Sequence, residues 1–194
     1  GGKNYLNDIS SKAKIYKKLT GKEYDIRTPS EVFKTSLAID KNYSIAVTLQ
    51  NNLNKNIFPL GGISNSKTIL CNENGYYSEY LSDRHGFNNP DVEWDSAEIE
   101  YLIVGDSFAH GACVNRPHDF SSVLRTLSKK SAINLGIQGN GPLTKYASLR
   151  EYAPKNVKNI IWFYYEENDL RDLSFEIENK ILVKYLKDKN FSQN

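Results

Sequence analysis

The period of hydrophobic and polar positions changes near residue 96. Before that point the elements are short and mixed. Ile9, Ala13, Tyr16 and Leu19 recur at helical spacing among lysines, which predicts an amphipathic helix over residues 5–20 with a basic, solvated outer face. Thr28-Pro29-Ser30-Glu31 has the spacing of a capping box with proline at the first helical position, so a second helix is expected through Val32, Phe33 and Leu37. Residues 43–49 alternate like a strand, and residues 50–66, rich in Asn with Pro59 and Gly61-Gly62, read as a long loop. Residues 67–71 and 76–81 flank Asn72-Glu73-Asn74-Gly75, whose Asn-Gly step signals a hairpin. Residues 1–95 therefore read as a small α+β extension.

From residue 96 strands and helices alternate. Residues 99–104 form a mostly apolar run that ends in Gly105-Asp106-Ser107, the look of a parallel strand buried on both faces. A serine directly after such a strand stands at its carboxyl end, where open α/β sheets gather ligands and chemistry, so Ser107 is the candidate nucleophile. Asp119 then offers a helix cap, and Phe120, Val123, Leu124 and Leu127 fall at i, i+3, i+4 and i+7, predicting one buried stripe. Residues 132–135 read as a second strand ending in the glycine-rich bend 134–141, and Pro142 starts a helix through Leu143, Tyr146, Ala147 and Leu149. Residues 159–165 read as a third, very apolar strand that breaks at Glu166. Residues 174–187, with Phe175, Ile181, Leu182, Tyr185 and Leu186, read as a final helix. Right-handed crossovers are expected between the strands. Just before this half, residues 82–91 are turn-rich: Gly86 turns the backbone, Phe87 plugs the core, and Asp83 and Arg84 are expected to pair locally.

Four segments carry a resemblance. Gly105-Asp106-Ser107, the run from Asn134 to Asn140 (Asn-Leu-Gly-Ile-Gln-Gly-Asn), Glu166-Glu167-Asn168-Asp169, and Asp83-Arg84-His85-Gly86-Phe87-Asn88-Asn89-Pro90 together resemble the SGNH, or GDSL-type, hydrolases, the last segment in their bacterial members. The resemblance implies a three-layer α/β/α, flavodoxin-like fold over residues 96–194, incomplete at the C-terminus. Its strand order would seat the first strand between the second and third and gather the three polar corners. It also implies a serine esterase or acyl-transfer reaction with Ser107 as nucleophile. The Ser107 N–H, the Gly139 N–H and the Asn168 amide would be its oxyanion hole, with Asp106 and Asp169 bracing the loops. Glu167 stands where the family has glycine, and it either narrows the pocket, places a carboxylate near bound substrate, or faces solvent.

The family's fourth block, Asp-x-x-His, does not occur in the 194 residues, and His85, His110 and His118 all precede the second block. A serine hydroxyl is a weak nucleophile until a base takes its proton, so the expectation divides. In one reading the chain is a fragment, inactive without a base supplied downstream, and its substrate is an ester such as an O-acyl group on a bacterial envelope glycan. In the other it is a non-catalytic binding domain whose corners hold a glycan or a protein partner. His110, three residues after Ser107, is expected to pack beside the serine rather than approach it in line.

Composition narrows the partners. With 39% hydrophobic residues the chain suits one domain or somewhat more, and a net charge of +2 argues against nucleic acid. No run approaches the roughly 18 to 20 apolar residues of a membrane span. Met is absent and Gly1-Gly2 reads as an appended scar, so an upstream anchor or signal is an open expectation and the compartment is unassigned. Cys71 and Cys113 make neither a disulfide framework nor a zinc set, and Cys71 reads as a small buried hydrophobe. No cofactor or metal is expected: neither glycine-rich loop has the Walker lysine or a dinucleotide fingerprint. A three-strand sheet is expected to leave an exposed edge, through which the chain would pair with a second copy.

Overall fold

In the structure, a computed structural model, residues 2–46, 56–111 and 113–193 are described. Helices α1 (Gly2–Thr20) and α2 (Pro29–Ile39) open the chain. α2 begins with the expected reciprocal cap: the Glu31 N–H donates to Thr28 Oγ1 and the Thr28 N–H donates to Glu31 at 2.8 Å. Strand β1 (Tyr43–Ile45) pairs parallel with β2 (Lys67–Ile69), which pairs antiparallel with β3 (Glu79–Leu81) across the Asn-Gly turn. Residues 47–49 of the expected first strand and 50–55 of the loop lie outside the described residues.

A 3-10 turn at Asp91–Asp95 leads into the second sheet, built from β4 (Ile99–Val104), β5 (Ala132–Asn134) and β6 (Val157–Trp162). Its order is β5-β4-β6, all parallel, with Leu102 opposite Ile133 on one side and Ile160 on the other. Helices α3 (Ser107–His110) and α4 (Phe120–Ser128) follow β4, α5 (Pro142–Tyr152) follows β5, and α6 (Asp169–Glu176) and α7 (Lys180–Lys187) follow β6. The chain is thus α/β, and the central strand of the second sheet, β4, precedes its two neighbours in sequence. Because the strands are parallel, the turns after β4, β5 and β6 leave from one rim.

β4 is covered on both faces, which is why its sequence is nearly continuous in apolar residues. Leu102 and Val104 pack with Phe87, Ile133, Leu135 and Ile137, while Ile103 packs with Ala109 and Ala132. Each such side chain contributes about 1.5–3 kcal/mol relative to exposure. A third cluster joins Ile181, Leu182 and Tyr185 of α7 to Leu143 and Ala147 of α5.

Several expectations are corrected. The α4 stripe has the right period but is covered only in part: Leu124 packs against Ile103, Ala109 and Ala132 and Phe120 sits edge-on to Phe163, whereas Val123 is 41% and Leu127 78% exposed and the fully buried residues are Ser121 and Ser122. Periodicity reveals that a helix has an apolar face, not that anything covers it. Residues 174–187 are not one helix, because Asn179 Oδ1 accepts from the N–H groups of Ile181 and Leu182 and starts α7 afresh. β6 begins and ends earlier than the apolar run suggested; it stands at an edge of its sheet among the described residues, and Ile160 and Trp162, which share one face of it, are exposed. Arg84 bonds Asp91 and Asp95 rather than Asp83. Cys71 is not a free thiol; it is disulfide-bonded to Cys113, 42 residues away, a partner that local pattern cannot reveal. Among the described residues no helix is long and apolar enough to cross a membrane.

Candidate active site

β4 delivers the chain through Gly105 to Asp106, whose carboxylate caps α3 by accepting the Phe108 N–H at 3.2 Å. Ser107 is the first residue of that helix and is exposed. Four residues are too few for a helix to persist by itself, so α3 depends on its surroundings. Asn134 donates its side-chain amide to the Ala109 carbonyl, and Asn88 donates to the His110 carbonyl at 2.9 Å. Asn89 in turn grips the backbone of Asn134, accepting from its N–H at 2.8 Å and donating to its carbonyl at 2.9 Å. Asn89 also donates to Asp83, which accepts from the Trp94 indole at 2.7 Å and from the N–H groups of His85 and Phe87. The turn-rich segment before β4 is therefore a buried polar scaffold beneath the serine. A Cβ at Gly136 would lie 2.6 Å from the Ala109 Cβ, so only glycine lets the second corner close onto α3.

At that second corner Asn134 Oδ1 accepts the Gly136 N–H at 2.8 Å, and the Gln138 N–H donates to His110 Nδ1 at 3.0 Å. Gly139 follows with φ +82°, a conformation that suits glycine. His110 is 1% exposed, and its Nε2 lies 2.8 Å from the Tyr80 hydroxyl. Burial pushes its pKa down to about 4. The Gln138 N–H requires a bare Nδ1, so the neutral ring carries its proton on Nε2 and donates to Tyr80. An imidazole with both nitrogens engaged has no lone pair for the Ser107 proton. His85 packs edge-on against Trp94, with centroids 4.6 Å apart, and His118 is exposed in a turn.

At the third corner the Asn168 amide donates to Asp106 Oδ2 at 3.3 Å, which brings it to the residue next to Ser107. Asp169, the first residue of α6, receives both of its close contacts from Lys145 Nζ on α5, at 2.6 and 2.7 Å, and the same ammonium donates to the Phe163 carbonyl. Glu167 is exposed and accepts the Tyr165 hydroxyl at 2.7 Å.

Ser107 opens into a hollow of about 170 Å³ that is also lined by Phe108, Gln138, Leu70, Cys71, Glu73 and Cys113. The disulfide is part of that lining. Gly139 and Asn168 do not line the hollow themselves; each adjoins a residue that does or that precedes Ser107. None of the three histidines lines it. The N-terminus of α5, beside the glycine-rich bend, is filled from within: Glu176 accepts from the N–H groups of Gly141, Leu143 and Thr144 at 2.8–3.2 Å. These donors are not free to cradle a phosphate, which counts against a nucleotide site there.

Sequence reasoning missed Asn88, Asn89, Asn134, Lys145 and Glu176. The first three lay in the segments that carry the resemblance but were given no role of their own, and the last two resembled solvated helix charges. With these corners in place, no protein-family model, curated protein or solved structure matches the chain.

Proposed function

We propose that this chain carries the nucleophile and oxyanion-hole portion of an SGNH-type serine esterase or acyltransferase acting on an ester such as an O-acyl group on a carbohydrate. The observation that carries the reading is the hydrogen bond from the Asn168 amide to Asp106, the neighbour of Ser107, on a rim where three parallel strands end together. In this reaction Ser107 Oγ adds to the ester carbonyl. The oxyanion accepts from the Ser107 N–H, the Gly139 N–H and the Asn168 amide, and the alcohol departs to leave an acyl-serine. Water or a second alcohol then takes the acyl group. Neutral donors suit this role because they hold no proton that competes in the acid–base steps.

The proton on Ser107 needs a base, and the placement of His85, His110 and His118 removes all three from that task. The reading therefore requires an imidazole brought to the hollow from outside residues 1–194. The alternative, a glycan- or protein-binding domain without turnover, is favoured by that same placement of the histidines. Hydrolysis of p-nitrophenyl acetate by the full-length gene product separates the two. The esterase reading expects Ser107→Ala to lower kcat by a factor on the order of 10³ or more. Activity indifferent to Ser107→Ala, or no activity in the full-length protein, overturns it in favour of the binding domain.

A further inference from the structure

We propose that Glu73 is a specificity-determining residue that admits esters of neutral, hydroxyl-bearing sugars to the Ser107 hollow and disfavours esters of acidic sugars; this rests on the esterase reading above. Among the described residues Glu73 is the only charged side chain lining that hollow, and it makes no hydrogen bond or ion pair. The residues on either side of it are held. Cys71 is disulfide-bonded to Cys113, and Asn74 donates its amide to the Cys113 carbonyl at 3.3 Å. Asn72 donates to the Asp25 carbonyl at 2.8 Å, and its Oδ1 accepts the Gly75 N–H at 3.0 Å. Gly75 closes the turn with φ +86°, its carbonyl accepts the Asp25 N–H at 2.8 Å, and a Cβ there would run into the Tyr16 ring of α1. The turn is thus tied to the loop after α3 and to the segment between α1 and α2.

A turn fixed at both shoulders loses little freedom when a ligand meets the side chain at its tip, so what that side chain prefers is passed on to binding. A carboxylate only accepts hydrogen bonds, and its two oxygens have room for adjacent hydroxyls of one sugar ring. A sugar acid in the same place sets like charges side by side, with no cationic residue lining the hollow to offset them. Glu73 therefore discriminates by what it repels as well as by what it holds.

The test gives the full-length gene product two esters, methyl glucoside and methyl glucuronide acetylated at the same hydroxyl, which differ in a hydroxymethyl group replaced by a carboxylate. The parent is expected to favour the neutral ester by about tenfold in kcat/KM, and that preference is expected to shrink as salt is raised. Glu73→Gln, which keeps the shape and removes the charge, is expected to bring the two esters within about twofold of each other, and Glu73→Lys to reverse their order. Each ratio is taken within one protein, so a loss common to both esters cancels and a variant that folds less well still reports it. Equal ratios in the parent and both variants overturn the proposal. Failure of the esterase reading shows separately, as turnover that survives Ser107→Ala or as none at all. Without turnover both esters are stable ligands, and their dissociation constants are expected to follow the same order in the three proteins. Equal constants, or binding of neither ester, overturn the proposal by that route.

Discussion

Lys145 Nζ lies 2.6 Å from Asp169 Oδ1, and both side chains are fully removed from solvent. The pair joins α5, which follows the second corner, to the first residue of α6, which follows Asn168. It sets the spacing of two corners from beneath. Removing one partner strands the other charge in a dry interior, so Lys145→Met is expected to destabilise the fold by about 3–5 kcal/mol, read as a shift in the urea midpoint. A loss below about 1 kcal/mol in the same titration would show that the pair is not buried as described.

The Cys71–Cys113 bond ties the end of β2 to the loop after α3 and closes a long stretch of chain. Cross-links of this kind stabilise mainly by restricting the unfolded chain, so reduction is expected to cost about 2–4 kcal/mol. Urea unfolding with and without dithiothreitol measures it. The Cys71→Ser/Cys113→Ser double variant serves as the reference and is expected to show no response to reductant.

His110 also makes stability depend on acidity. Its folded pKa is about 4 against an ordinary histidine value of about 6.5, so the unfolded chain binds the extra proton between those limits. The contribution is full above pH 6.5 and is lost as pH falls towards 4, amounting to about 3 kcal/mol across the window. Tyr80, the ring's partner, is pushed upward by burial and stays neutral throughout. Comparing unfolding free energies of the parent and His110→Asn at pH 4.5 and 7 isolates the effect, and an equal pH dependence in the two proteins would contradict it.

The open end of the α4 stripe makes a sharper test of packing. Leu127, 78% exposed, is expected to tolerate Leu127→Gln within about 0.5 kcal/mol, whereas Leu102→Ala in the doubly covered strand is expected to cost about 2–5 kcal/mol. A large loss at Leu127 in the isolated chain would mean that a second copy or another segment covers α4 in solution.

What could be read from the sequence was local. The β4 run, the Gly-Asp-Ser corner, the capping box at Thr28 and the Asn-Gly hairpin are each determined by residues within one turn or strand, and each lies where its pattern predicts. What could not be read depends on residues far apart in the chain. Asn134 has the same formula whether it wets a loop or holds Ala109, and Lys145 reveals its charge but not that Asp169, 24 residues later, meets it in the dry. Glu176 likewise resembles any helix carboxylate until α5 is laid across it. The α4 stripe was read in part: its local pattern was correct, but its tertiary neighbours cover Leu124 and Phe120 and leave Val123 and Leu127 open.

Leu70, Cys71 and Glu73, which line the hollow along with Ser107, stand on a part of the chain that holds no member of the proposed reaction centre. Under the esterase reading, reactivity and choice of molecule are encoded in separate stretches. Exchanging residues 70–73 would then retune which carriers are admitted while the bond-making apparatus stays as it is.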